Sequence, residues 1–127
     1  RKILIEIQII EVVMRHGFEI FDFDLIHFQQ QVEIMLNTTI LVSLHGAALT
    51  NMMFMEPGST IVEFLPKEII NDKCYFILAG TMKHNYYYLS CDMEGSSHLP
   101  SNFQVDVAAF EKVLTDATSK QFKSFAS

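Results

Sequence analysis

A histidine, a pair of small residues and a glutamate stand near the ends of two apolar segments. The first segment, Ile40–Leu44, leads directly into His45-Gly46-Ala47, and Glu63 lies near the end of the second, Thr60–Leu65. In open α/β sheets, ligands bind at the carboxyl ends of parallel strands. The order of these residues therefore predicts a titratable ring, free backbone N–H groups and a carboxylate close together at one edge of a sheet.

The turn after Leu44 has the composition of an anion site. Gly46 and Ala47 carry little or no side chain, so a ligand can approach the backbone closely. A helix beginning there exposes N–H groups and the positive end of its dipole, which favour phosphate. His45 can donate a hydrogen bond to such an anion, and Thr50 could reach back to it. The same small residues also suit tight strand–helix packing, and neither GxGxxG nor GxxxxGK[ST] is present to separate the two interpretations.

Glu63 needs a partner, because a carboxylate buried in an apolar strand is costly when it is unpaired. A ribose or sugar diol would satisfy it, and so would the N-terminus of a neighbouring helix. Other chemistry is not supported: a hydrolase would need a GxSxG turn, and a receiver-like regulator would need an aspartate after Ile40–Leu44. We expect no metal site, since the remaining histidines lack the spacing of metal ligands; these are His16, His27, His84 and His98.

Composition places the chain among folded globular proteins. It has 127 residues, 50% of them hydrophobic and 19% charged, which predicts one domain with a packed core. The net charge is −6 and the basic residues are scattered, so nucleic acid is not expected as a partner. No apolar run is long enough to span a bilayer. Cys74 and Cys91 are expected to be buried free thiols.

The pattern of apolar residues predicts alternating helices and strands. Such alternation predicts an α/β fold, a Rossmann-like three-layer αβα sandwich with a mainly parallel sheet. We expect this domain over residues 1–117 and a tail over 118–127, with a leading strand missing before Arg1. The predicted helices cover residues 5–15, 28–37, 47–55 and 72–82 and a last one capped by Asp106, and the predicted strands cover 18–23, 40–44, 60–65 and 86–90.

The central block of the sequence resembles the signature of glycosyltransferase family 61. That signature runs close to HGAGLTN, then a few residues with Phe, then PG and an apolar strand ending in Glu; Leu41–Phe54 and Pro57–Glu63 follow it. Arg1–Glu6 is similar to the family's R-x-I-L-N-E segment, and Phe103–Val107 to its late segment, so the resemblance extends over nearly the whole chain. Ile5 replaces the usual Asn, and Ala48 replaces the commoner Gly.

The resemblance implies the C-terminal, donor-binding half of a GT-B enzyme. Such an enzyme transfers a sugar from a nucleotide-sugar donor, here expected to be UDP-linked, to a glycan or protein hydroxyl, with inversion and without a metal or another cofactor. It also implies that Glu63 contacts ribose or donor-sugar hydroxyls and that Arg1 offsets the diphosphate charge. The complete set of residues expected to bind the donor is Arg1, Ser43, His45, Gly46, Ala47, Thr50, Asn51 and Glu63.

The catalytic residues are not assigned by the sequence. An inverting transfer needs a general base for the acceptor hydroxyl, and we expect that base in a missing N-terminal half or at the cleft, so the fragment alone is expected to be inactive. The alternative is a non-catalytic α/β module, a degenerate transferase remnant that binds a nucleotide or a protein partner. Ile5, in place of the usual Asn, is the feature that favours this alternative. The expected location is the cytoplasm, with the ER or Golgi lumen as the alternative.

Overall fold

The computed structural model describes residues 3–4, 7–94 and 101–126, and the side chains of residues 8–92 and 104–119. Two compact units divide the chain: Phe21–Leu89 forms one, and Arg1–Ile20 with Ser90–Ser127 forms the other. In chain order the elements are β1 (Ile3–Leu4), α1 (Ile7–Arg15), α2 (Phe28–Leu36), β2 (Ile40–Leu44), β3 (Thr60–Pro66), α3 (Cys74–Thr81), β4 (Asn85–Glu94), β5 (Ser101–Gln104) and α4 (Val107–Ala126), with 3-10 helices at Phe23–Leu25, Ala47–Phe54 and Lys67–Ile69.

The unit Phe21–Leu89 contains a parallel sheet in the order β2-β3-β4. Strands β2 and β3 pair in register from Ile40 opposite Thr60 to Leu44 opposite Phe64. The Asn85 backbone N donates to the Ser59 carbonyl at 2.8 Å, so β4 and β3 begin at the same level. The residues of β3 are buried from Thr60 to Leu65, as is usual for the central strand of a parallel sheet covered on both faces.

The core of this unit joins its helices to the sheet. It is built from buried residues of α2, β2, β3, α3 and the 3-10 helix with its C-cap. This arrangement confirms the predicted α/β class, with a parallel sheet and flanking helices. The buried members of the cluster are Met35, Leu41, Leu49, Met52, Met55, Ile61 and Ala79.

In the other unit, β5 pairs with β1 in parallel and with β4 in antiparallel fashion. Helix α4 begins where the sequence predicts, because Asp106 Oδ1 accepts a hydrogen bond from the Ala109 backbone N at 3.1 Å. Its Phe110 and Leu114 are fully buried. Helix α4 continues to Ala126 and so includes most of the segment predicted as a tail.

Two local predictions are wrong. Residues 18–22 form no strand, and the chain continues into the 3-10 helix Phe23–Leu25. The reason is local: Asp22 Oδ1 accepts from the Asp24 backbone N at 3.0 Å, an Asx turn that competes with strand pairing. The predicted helix over residues 5–15 is confirmed from Ile7 to Arg15, and residues 5–6 lie outside the described residues. Cys74 is exposed, not buried, and only Cys91 is a buried free thiol.

Strand β5 was not predicted, since the last predicted strand ends at residue 90. Residues 95–100, between β4 and β5, lie outside the described residues. Along the part of the chain that the structure describes, no helix combines the length and the apolar character needed to cross a membrane.

Candidate functional site

His45 is held between two carboxylates. Its backbone N donates to the Phe64 carbonyl at 2.9 Å, which fixes the residue to the end of the β2–β3 ladder. The ring nitrogen Nδ1 lies 2.5 Å from Glu63 Oε2, and Nε2 lies 3.3 Å from Asp72 Oδ2. Only a protonated ring can donate from both nitrogens at once, because neutral imidazole carries a single N–H.

Glu63 is the buried partner in this arrangement. Its side chain is 1% exposed, and its position opposite Ser43 in the parallel register puts it beside the end of β2. Tyr86, from β4, donates its hydroxyl to Glu63 Oε1 at 2.5 Å. Burial, assisted by this hydrogen bond, raises the pKa of Tyr86 far above its usual range. Both oxygens of Glu63 therefore have partners inside the protein, which explains how an apolar strand accommodates the carboxylate.

Asp72 is the exposed partner and lies just before α3. Its Oδ1 accepts from the Cys74 backbone N at 3.1 Å, which leaves Oδ2 facing the His45 ring. Hydrogen bonds from Cys74 and, to a smaller extent, the attraction of His45 lower the pKa of Asp72. Burial and the hydrogen bond to Asp72 raise the pKa of the Cys74 thiol.

Tyr75 packs against the His45 ring from α3. Their ring centroids are 4.9 Å apart and the planes are tilted by 69°, an edge-to-face contact of the kind that aromatic pairs prefer. Burial raises the pKa of Tyr75. The His45 ring is therefore fixed by contacts with β3 and with the start of α3.

The turn after His45 is open. Gly46 is extended, with φ 162°, and a Cβ there would meet the Leu44 carbonyl oxygen at 3.8 Å, an ordinary contact. The first hydrogen bond of the 3-10 helix runs from Leu49 N to the Gly46 carbonyl at 3.0 Å. The N–H groups of Ala47 and Ala48 precede it and have no acceptor within the helix. Neither backbone conformation nor internal packing requires glycine at this position.

The other predicted donor-binding residues lie in different surroundings. Thr50 is exposed, but its hydroxyl donates to the Ala47 carbonyl at 2.6 Å, within its own helix. Ser43 donates its hydroxyl to the Leu44 carbonyl at 3.0 Å. Asn51 is 9% exposed and lies among the buried residues of the 3-10 helix. Arg1 lies outside the described residues.

Sequence reasoning missed the residues that surround His45 from later in the chain. Asp72 was predicted only as the first residue of a helix, whereas α3 begins at Cys74 and Asp72 accepts from its backbone N. Tyr86 was predicted only as the first residue of a strand. One signal pointed to Tyr86: a buried strand carboxylate needs donors, and the next strand begins with a tyrosine. No spacing signal links Asp72 to His45, since 27 positions separate them.

Comparison with known proteins gives one family match. Residues 1–62 match the sequence model of a family described as Glycosyltransferase 61. These are 62 of the 127 residues, slightly less than half of the chain, whereas the resemblance was expected to extend over nearly all of it. Neither curated proteins nor solved structures give a match.

The matched segment includes much of the candidate site. It contains His45, Gly46 and the 3-10 helix Ala47–Phe54, and it ends one residue before Glu63. Asp72 and Tyr86 lie beyond it. The family match supports a glycosyltransferase relationship for the first half of the chain, and the carboxylates that hold His45 come from the second half.

Proposed function

We propose that this chain is the donor-binding, C-terminal half of a GT-B glycosyltransferase, and that it binds a nucleotide-sugar diphosphate at the turn after β2. The observation that carries the proposal is the orientation of His45. Its Nδ1 is bonded to the buried Glu63, and its Nε2 points toward the exposed Asp72 beside the start of a helix. The family match over residues 1–62 supports the same activity class.

The anion would bind to backbone and imidazole donors together. The N–H groups of Ala47 and Ala48 have no acceptor within their helix, and Gly46 leaves the backbone accessible from the side of the turn. A diphosphate that displaces Asp72 from Nε2 would receive an N–H from His45 as well. Charge-assisted hydrogen bonds of this kind are about twice as strong as neutral ones.

Glu63 would position His45 in this scheme. Its carboxylate keeps a proton on Nδ1 and fixes the ring plane. The predicted contact of Glu63 with ribose stays a prediction, and it would require a donor hydroxyl to share an oxygen that His45 or Tyr86 already occupies.

Transfer with inversion, and without a required metal, completes the proposal. The acceptor is a glycan or protein hydroxyl, and the general base is supplied by another part of the protein. A UDP-linked donor and a cytoplasmic location remain predictions. The second candidate function is a non-catalytic nucleotide- or partner-binding module, which Ile5 favours because it stands where the family usually has a polar Asn.

Calorimetric titration with UDP, GDP and their sugars tests the donor site. We expect His45→Gln, which keeps a polar side chain of similar size, to weaken diphosphate binding about tenfold, the loss of one charge-assisted hydrogen bond. His27→Gln is the matched control, because His27 is an exposed histidine without a side-chain capping bond. Equal affinity in His45→Gln and the parent protein would refute the site. Binding without donor turnover by the complete protein would favour the non-catalytic module.

A further inference from the structure

We propose that His45, Asp72 and Cys74 form a binding site for Zn²⁺. These residues supply an imidazole nitrogen, a carboxylate oxygen and a thiolate, and the three ligand atoms lie within 4.8 Å of one another. Nitrogen, oxygen and sulfur donors of this kind are the usual protein ligands of zinc. This inference depends on the side-chain geometry and not on the proposed donor site.

The spacing of the ligand atoms fits tetrahedral zinc. Oxygen and nitrogen ligands at about 2.0 to 2.2 Å from a tetrahedral ion lie about 3.3 to 3.6 Å from each other. His45 Nε2 and Asp72 Oδ2 are 3.3 Å apart without an ion between them. The imidazole and the carboxylate therefore need little movement to bind the same metal ion.

The surroundings of the cluster have the features of a metal-site second shell. Histidine ligands almost always donate their other ring N–H to a carboxylate or carbonyl, which fixes the ligating nitrogen. The Nδ1 of His45 has such a partner in Glu63, which is 1% exposed and is held in turn by Tyr86. This buried carboxylate is an observation independent of the three ligands, and it selects Nε2 as the metal-binding nitrogen.

Asp72 is also preoriented for coordination. Its Oδ1 accepts from the Cys74 backbone N, so Oδ2 is the oxygen directed at the histidine. The same turn brings the Cys74 side chain to the cluster from the first residue of α3. Asp72 and Cys74 are exposed, so water or a solute can reach a fourth coordination position, as in zinc sites with three protein ligands.

Zn²⁺ bound at this site would compete with the nucleotide-sugar donor for His45. Zinc on Nε2 removes the hydrogen bond that His45 would give to a diphosphate, a consequence that rests on the proposed function. We therefore expect Zn²⁺ to inhibit donor binding. A failure of this competition alone would count against the proposed donor contact of His45, whereas the metal site is judged by direct binding.

Titration of the purified, reduced protein with Zn²⁺, and with Co²⁺ as a spectroscopic substitute, tests the site. We expect one saturable ion per chain, a thiolate-to-cobalt charge-transfer band, and release of protons on binding. Asp72→Asn and Cys74→Ser are each expected to weaken binding at least tenfold, and Cys74→Ser to abolish the charge-transfer band. Glu63→Gln should weaken binding about 10-fold to 100-fold as a second-shell change.

Matched controls exclude a general effect of the substitutions. Asp22→Asn changes an exposed aspartate whose Oδ1, like that of Asp72, accepts from the backbone N two residues later. Cys91→Ser removes the other thiol, which is buried. Both variants should bind zinc with parental affinity. Absence of saturable binding, or equal affinity in Asp72→Asn and Asp22→Asn, would overturn the proposal.

Discussion

The phenol of Tyr86 donates a hydrogen bond of 2.5 Å to Oε1 of Glu63, a carboxylate that is 1% exposed. This contact joins β4 to β3, and the bond between Glu63 and His45 continues it to the end of β2. One buried carboxylate in the middle of β3 thus connects the residue after β2 with the second residue of β4. On the Nδ1 side, the His45 ring is therefore oriented from the interior of the protein, and on the Nε2 side it faces the exposed Asp72.

Replacing Tyr86 by Phe should destabilise the protein by about 1 to 3 kcal/mol. The change leaves Oε1 of a buried carboxylate without a donor, and an unsatisfied buried acceptor has about that cost. Urea unfolding at neutral pH measures the difference. Tyr88→Phe is the control, because Tyr88 is 54% exposed and stacks on Tyr86 from the same strand. An equal loss of stability in the two variants would contradict the role given to the Tyr86 hydroxyl.

Alkaline pH should reduce the stability of the parent protein through Tyr86. Burial and the bond to Glu63 raise the pKa of Tyr86 above its ordinary value of 10.0, so the folded state favours the neutral phenol. The stabilisation is fully present below pH 10.0 and is lost as the pH rises above it. Tyr86→Phe should therefore show a smaller decline in unfolding free energy above this pH. Parallel curves for the two proteins would refute the assignment.

Asp72→Asn should change stability at acidic pH. Hydrogen bonds from Cys74 and the attraction of His45 hold the folded pKa of Asp72 below its ordinary value of 3.8. The resulting stabilisation is present above pH 3.8 and disappears as the pH falls below it. The difference in unfolding free energy between the parent protein and Asp72→Asn should shrink on acidification through this range. A difference that stays constant down to pH 2 would contradict this expectation, and chemical denaturation at a series of pH values measures it.

Gly46→Ala should separate folding from ligand binding. Gly46 has an extended backbone and a Cβ would meet only an ordinary contact, so stability should change by less than about 0.5 kcal/mol. Gly58→Ala, at a φ of +91°, should instead cost about 1 to 2 kcal/mol. Diphosphate affinity should fall in Gly46→Ala, because the added methyl group narrows the approach to the turn. Unchanged affinity with unchanged stability would show that Gly46 is needed neither for folding nor for diphosphate binding.

The sequence alone predicted the local part of this structure well. The apolar segments Ile40–Leu44 and Thr60–Leu65 were identified as strands because each is a continuous short apolar run. The second is buried from Thr60 to Leu65, whereas in the first only Leu41 is buried. Asp106 was identified as a cap because capping depends on a backbone N only three residues away. Strands and caps of this kind depend on residues that are close together in the sequence, and so they can be predicted from it.

Contacts between segments that are distant in the sequence could not be predicted from the sequence pattern. The short strand β5 exists because β1 and β4 pair with it, and a run of four residues such as Ser101–Gln104 has no periodicity of its own. Asp72 reaches His45 because the turn before α3 brings the two together, which no spacing rule encodes. The sequence therefore pointed to His45 and Glu63 as candidate site residues. It gave no indication that Asp72, Cys74 and Tyr86 surround them.

Removing His45 alone should lower the free energy of unfolding more than removing His45 and Glu63 together. The Glu63 side chain is 1% exposed, and its two oxygens contact His45 and Tyr86. In His45→Ala, Oε2 loses the His45 contact, and the bond from Tyr86 to Oε1 is kept. Breaking a buried ion pair in this way costs about 3 to 5 kcal/mol. Adding Glu63→Met to His45→Ala removes the stranded charge and refills the space, and should recover most of the loss, since apolar replacements of buried pairs are often neutral.

Thermal and urea unfolding of His45→Ala, Glu63→Met, the double variant and the parent protein measure this coupling. His45→Gln serves as the conservative comparison, because its amide N–H can still donate to Glu63 Oε2, and it should retain more stability than His45→Ala. A double variant no more stable than His45→Ala would mean that Glu63 finds another donor or solvent when the ring is absent. The recovery matters for function, because any loss of donor or zinc binding in His45→Ala is interpretable only if the fold survives the unpaired carboxylate.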